Sequence, residues 1–268
     1  MRHFATVISR DGTPIGYELR GHGPPLVMVH GSAVDHTRWG GVVHALAEHF
    51  TLHMMDRRGR GKSGDGPAYA IAREFEDVAA VLEATQVPAC VIAHSYGSIC
   101  ALGAAGLTKR IVRMALYEPP LPVPGQPLSF PADLGRRLEA ILATGDRVRV
   151  VETFLRDVLH LGEGEITRLR RTSGWPVRLE AAATLPREVS VAASHRFDAQ
   201  SFAQVRVPIL FLVGNRSPAY LQASTQMAAA AVPGSRIEVL AGHGHAAMAT
   251  GPKAFLEKVL PFLTGAAR

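Results

Sequence analysis

Ala89-Cys90-Val91-Ile92-Ala93-His94-Ser95-Tyr96-Gly97-Ser98-Ile99-Cys100-Ala101-Leu102-Gly103-Ala104-Ala105 is the stretch from which the rest of the chain is read. Pro88 precedes it, and the apolar run up to Ala93 carries no period, as in a strand buried on both faces. From Tyr96 to about Leu107 the residues include helix-forming Ala and Leu and no proline. A serine between a strand end and a helix start lies at the positive end of the helix dipole. There a tight turn can hold its hydroxyl toward solvent. Such a turn crowds the backbone, so the positions two before and two after the serine must be small, and here they are Ala93 and Gly97. The plainer reading of Ser95 is a helix N-cap. The flanking chain decides between the two.

Composition narrows the field. A chain of 268 residues can bury a sizeable core as one large α/β domain, with or without an insertion. Hydrophobic residues make up 47 % and charged residues 19 %, ordinary for a globular enzyme. The longest apolar runs have strand length, too short for a transmembrane helix. The first residues alternate apolar and polar and then turn at Asp11-Gly12, unlike the apolar centre of a signal peptide, so a cytoplasmic location is expected. Two cysteines, Cys90 and Cys100, exclude a disulfide framework and read as buried thiols. The net charge of +6 comes from dispersed arginines, with a cluster at Arg168, Arg170 and Arg171. Without a basic stripe and interleaved aromatics, no nucleic-acid partner is expected.

Outward from the elbow, strands and helices alternate. Residues 4–9 and 14–20 read as a hairpin around Asp11-Gly12. Strands follow at 26–29, 51–55 and 111–117, with helices at 37–48 and 70–84. After Glu118-Pro119-Pro120 the alternation stops. From about 132 to 200 the pattern is helical, carried by Leu134, Leu138, Ile141, Val150, Phe154 and Val158, with shorter candidates at 178–183 and 189–193. The alternation resumes with a strand at 209–213, a helix at 219–231, a strand at 236–240 and a closing helix after Gly251-Pro252. The expected fold is α/β, a doubly wound, mostly parallel eight-stranded sheet with an inserted helical cap. The divisions are 1–120 for the first part of the core, 121–203 for the cap and 204–268 for the second part. The site should lie at the carboxyl ends of the strands.

Asp56-Arg57-Arg58-Gly59-Arg60-Gly61-Lys62-Ser63 is glycine-rich enough to invite a phosphate-cradle reading. A P-loop needs four residues between its first glycine and Gly-Lys-Ser, and here Gly59 and Gly61 are separated by one.

These motifs, in this order, resemble the α/β-hydrolase family. Ala93-His94-Ser95-Tyr96-Gly97 is similar to its nucleophile elbow G-x-S-x-G, with Ala93 in place of the first glycine. His30-Gly31 resembles its oxyanion turn, the segment from Asp56 its D-x-R-G-x-G-x-S structural turn, and Gly244-His245 followed by Pro252 its G-H-x(6)-P ending. The resemblance covers nearly the whole chain. It implies Ser95 as nucleophile and His245 as base, with His243 as the fallback. The backbone N–H groups of Ser32 and Tyr96 are the implied oxyanion hole, to which the Ser32 hydroxyl can add a donor. Gly31, Asp35 and His94 are expected to line the substrate pocket.

The acid departs from the family pattern. Its usual place, three residues past Gly214, holds Ser217. Some members place the acid after the strand that precedes the cap, which here is Glu118, and the chain order Ser95, Glu118, His245 suits the fold. Asp35 and Asp56 are rival carboxylates. The implied chemistry is hydrolysis of a small-molecule carboxylic ester, with no metal or organic cofactor. Carbon–carbon bond hydrolysis, lyase or cyclase chemistry in the same pocket, and a non-catalytic ligand-binding role remain open. Oligomeric state leaves no trace in the sequence.

Overall fold

The computed structural model describes residues 3–66, 68–126, 129–194 and 205–266. Strands β1 (His3–Ile8) and β2 (Pro14–Arg20) form the expected hairpin, registered from His3 opposite Leu19 to Ile8 opposite Pro14. Six further strands complete one sheet: β3 (Pro25–Val29), β4 (Thr51–Met55), β5 (Ala89–His94), β6 (Ile111–Tyr117), β7 (Ile209–Gly214) and β8 (Arg236–Leu240). The spatial order is β1-β2-β4-β3-β5-β6-β7-β8. β2 meets β4 antiparallel, and every pairing from β4 through β8 is parallel. The strand order reverses between β3 and β5, the switch point where an open α/β sheet leaves a crevice at its carboxyl edge.

Alternation along each strand divides its side chains between two apolar layers. Val27 and Val29 of β3 and Val91 and Ala93 of β5 face one layer, with Val78, Leu82 and Ile99 of helices α2 (Ile71–Ala84) and α3 (Tyr96–Ala104). Leu26, Met28 and Ile92 face the other, with Trp39, Leu46, Phe255 and Val259. Both faces are covered, which is why the central strands read as unbroken apolar runs.

Among the described residues, five α-helices lie between β6 and β7: α4 (Leu134–Ala143), α5 (Arg147–Asp157), α6 (Glu163–Arg170), α7 (Trp175–Glu180) and α8 (Leu185–Ser194), with a 3-10 turn at Ala181–Thr184. They enclose their own apolar cluster of Leu134, Leu138, Val151, Phe154, Ile166 and Leu185, which Ala33 enters from the sheet side. The 203/204 division falls outside the described residues, as does the helical pattern beyond 194.

Some expected elements differ. The helix expected over 37–48 is a 3-10 turn, His36–Trp39, followed by a short α1 (Val43–Ala47). Gly40-Gly41 interrupts it, and a Cβ on Gly41 would sit 2.5 Å from the Met248 carbonyl oxygen. Helix α3 ends at Ala104, short of Leu107. Helix α6 has no sequence signal because Ile166 is its one buried residue. The chain closes with α9 (Ala219–Ala231), the short α10 (Ala247–Thr250) and α11 (Pro252–Leu263). No helix among the described residues is long and apolar enough to cross a membrane.

Candidate active site

Ser95 joins β5 to α3 at φ 54°, ψ −127°, a region that non-glycine residues occupy only under constraint. Its N–H donates to the Tyr117 carbonyl oxygen at 2.8 Å, which ties the turn to β6. The small flanking residues have a steric cause. A Cβ on Gly97 would lie 2.4 Å from the His30 carbonyl oxygen and 2.6 Å from that of Val29, so α3 starts directly against β3. A Cβ on Gly31 would lie 2.9 Å from Cβ of Ser95, so Gly31 serves close approach rather than lining a cavity. Ala33 (φ 57°) and Glu118 (φ 49°), just past the ends of β3 and β6, are also held at positive φ. Constrained residues therefore follow three neighbouring strands at one edge of the sheet.

Glu118 is fully buried. Its Oε1 accepts the Gly214 N–H at 2.7 Å, and its Oε2 is hydrogen-bonded to Nδ1 of His245. The His245 loop is held from two further sides: its carbonyl oxygen accepts from Nε2 of His94 at 2.8 Å, and the Tyr117 hydroxyl donates to the Gly244 carbonyl oxygen. Ser95 and His245 line one cavity, with His94 and Ser217. The Ser217 hydroxyl, at the position where the family usually has its acid, is buried without a hydrogen-bond partner among the described residues. His243 is directed elsewhere: its ring packs where a Cβ on Gly251 would fall, 2.0 Å from Cε1.

Two histidines are held neutral. Burial, with the neighbouring His245 and Arg38, pushes His94 well below its ordinary pKa. A neutral ring whose Nε2 donates to a carbonyl has no proton on Nδ1, and that buried Nδ1 is unpartnered among the described residues. Burial, with Arg60 and Arg57 nearby, likewise depresses His30, whose Nδ1–H donates to the Gly31 carbonyl oxygen while Nε2 accepts the Arg57 N–H at 3.1 Å. His30 braces the turn after β3.

For an oxyanion, Tyr96 is the first residue of α3, so its N–H has no carbonyl one turn earlier to bond. Ser32 borders both cavities that meet at Ser95. One, about 70 Å³, is walled mainly by apolar groups such as Leu121, Phe130, Phe154 and Val189. The other, about 690 Å³, contains His245 and is lined by Arg38 and Arg178 as well.

Asp35 does not reach either cavity. Its Oδ1 accepts from N and Oγ1 of Thr37, capping the 3-10 turn, and it lines a separate space of about 210 Å³ with Arg60 and Gly61. The turn at Ala33 redirects the chain between Ser32 and Asp35. Asp56 is buried and accepts from the backbone N–H of His36 at 2.9 Å and of Lys62 at 2.8 Å, so it organises its own loop. Asp35, His36 and Asp56 offer ligand atoms within 4.8 Å of one another, but these atoms already hold the hydrogen bonds just given and the His36–Asp56 pair. The residues that sequence reasoning missed are Arg38 and Arg178. They are 140 positions apart, and no motif links them.

A strained serine at the switch point of such a sheet, with a histidine–carboxylate pair from later strand ends, is the architecture of an α/β-hydrolase. Residues 26–258 match the alpha/beta hydrolase family, and the chain belongs to that family. An alpha/beta hydrolase from Sphaerobacter thermophilus is 36 % identical, with a TM-score of 0.81 over 88 % of this chain and 92 % of its own. The pimeloyl-[acyl-carrier protein] methyl ester esterase of Xanthomonas campestris is 30 % identical over 242 residues, 85 % of this chain and 90 % of that protein. The esterase RhEst1 from Rhodococcus shares the fold at 24 % identity, with a TM-score of 0.75 over 97 % of this chain and 98 % of its own.

Proposed function

We propose that this hydrolase cleaves a small-molecule carboxylic ester through an acyl-enzyme on Ser95. The observation that carries the reading is the buried Glu118 carboxylate bonded to Nδ1 of His245, whose ring shares a cavity with Ser95. A serine hydroxyl needs a base at neutral pH. With Nδ1–H donated to Glu118, the His245 tautomer leaves Nε2 free to take the Ser95 proton as Oγ attacks the ester carbonyl. Backbone N–H groups of Tyr96 and Ser32 receive the developing oxyanion. His245 then returns the proton to the departing alcohol, and water repeats the sequence to release the acid. The α4–α8 segment, within 121–203, acts as a cap: Phe154 and Leu159 on it border both cavities at Ser95. The methyl ester esterase of Xanthomonas supports an ester as the bond cleaved.

The test is labelling with a fluorophosphonate, read by intact mass and peptide mapping. A single adduct on Ser95, absent in Ser95→Ala, is expected, together with turnover in a screen of acyl esters of increasing length. An unlabelled Ser95 overturns the serine-hydrolase reading. Labelling with faster cleavage of a β-diketone than of any ester moves the same residues to carbon–carbon hydrolysis.

A further inference from the structure

Buried arginines in this protein come with carboxylates: Arg57 with Glu74 and Glu188, Arg58 with Asp77 and Asp11, and Arg60 with Glu188. Arg38 and Arg178, half-buried side chains each with a buried Nε, break the pattern. Neither has an ion pair among the described residues. Arg178 donates from Nη1 to the Ala33 carbonyl oxygen at 3.2 Å, and Nε of each is buried without a partner. Burial, and then the charge of Arg178, lower the Arg38 pKa to about 10. Two partly desolvated, mutually repelling cations are costly unless an anion joins them. Both line the larger cavity, where Arg168 and Arg216 add charge and the one lining carboxylate among the described residues, Glu165, is engaged with the Gly162 N–H at 3.0 Å.

The two cavities divide the substrate. His245 borders only the cationic one, and the departing alcohol oxygen must take its proton from His245. The acyl chain is then left to the narrow apolar arm. We propose that the substrate is an ester whose alcohol half carries a carboxylate, bound between Arg38 and Arg178, with an apolar acyl chain. The proposal rests on the serine-hydrolase reading above. Guanidinium groups suit this task because their planar forks match a carboxylate's two oxygens. Hydrolysis adds one water across the ester C–O bond and gives an apolar acid and a hydroxycarboxylate, with no other co-reactant.

The experiment compares O-butyrylglycolate with propyl butyrate, two esters of similar shape that differ in charge. The ratio of their kcat/KM values is expected to fall by about 10- to 100-fold in Arg38→Gln and in Arg178→Gln, mainly through KM, and to recover in part in the Lys variants. An unchanged ratio in both Gln variants overturns the proposal. Calorimetry with succinate supplies a readout independent of turnover. Binding to wild type that is lost in Arg178→Gln is expected, and equal binding of succinate and succinamide to wild type overturns the proposal. Propyl butyrate turnover without preference for the charged ester sinks the carboxylate site alone. An unlabelled Ser95 sinks the hydrolase reading, while succinate binding still reports on the arginines.

Discussion

Glu118 and His245 meet across the sheet edge, the carboxylate at the end of β6 and the imidazole in the loop after β8, joined through Oε2 and Nδ1. The other carboxylate oxygen is fixed by the Gly214 N–H at 2.7 Å, so the acid is oriented by the end of β7, the strand between them. Glu118→Gln keeps an oxygen for Gly214 but offers His245 an amide. Turnover is expected to drop by about 10²–10⁴-fold with the fold retained, as for other triad acids. Steady-state kinetics beside circular dichroism check this. A folded variant with an unchanged rate removes Glu118 from the mechanism.

Much of this arrangement was legible because it is local. Ala93 and Gly97 flank Ser95 at the spacing a crowded turn demands, and the aperiodic run from Ala89 announces a doubly covered strand. Glu118 was reachable through the family resemblance, since some members place the acid after the strand that precedes the cap and that strand ends here. Asp35 misled because nearness in sequence to Gly31 and Ser32 conceals the positive-φ turn at Ala33. Arg38 and Arg178 were invisible: their shared cavity exists only once the insertion folds over the sheet edge.

Ser217 offers a route to the commoner arrangement. Its hydroxyl is buried, unpartnered among the described residues, and borders the cavity that holds His245. In a Glu118→Gln background, Ser217→Asp is expected to recover at least about tenfold of the lost turnover by giving the imidazolium a carboxylate again. No gain in kcat from the double variant relative to Glu118→Gln shows that the β7 end cannot serve His245.

His94 makes stability depend on pH. Its folded-state pKa is depressed from 6.5 mainly by burial, so the unfolded chain binds the proton more readily. The stability contributed is complete above about 6.5 and is lost as pH falls toward the depressed value. His36 acts in the opposite direction: burial lowers its pKa, but the bond to Asp56 and the charges of Asp56, Asp35 and Glu18 together outweigh that and raise it. The comparison is therefore made between variants. His94→Gln keeps a donor near the Nε2 position but cannot titrate. Below pH 6.5 its urea-unfolding free energy is expected to fall less steeply than that of wild type, by up to about 1.4 kcal/mol per pH unit. Parallel curves exclude the role.

Glu188 of α8 binds the helical insertion to the Asp56 loop, accepting from Nη2 of Arg57 at 2.8 Å and from Nη2 of Arg60. Arg57 also pairs with Glu74 of α2. Glu188→Ala leaves Arg60 buried with Thr184 and the Arg58 carbonyl oxygen as its remaining partners. Breaking a buried ion network this way is expected to destabilise by about 3–5 kcal/mol. Urea denaturation measures it, and a loss below about 1 kcal/mol shows that water reaches the cluster.

The two small residues around Ser95 are not equivalent, and substitutions should separate them. A Cβ on Gly97 would fall 2.4 Å from the His30 carbonyl oxygen, a contact with backbone that no rotamer relieves. Gly97→Ala must push α3 away from β3 and carry the Tyr96 N–H with it. A displacement near 1 Å costs on the order of 10² in rate, and that loss is expected in kcat. Ala93 is fully buried in β5 and already carries the Cβ that the usual glycine lacks. Ala93→Gly is expected to cost roughly 0.5–1 kcal/mol of stability through chain entropy, with kcat within a factor of about three. Paired measurements of urea midpoint and ester turnover decide it. Equal kinetic losses in both variants show that the alanine, like the glycine, sets the position of the serine.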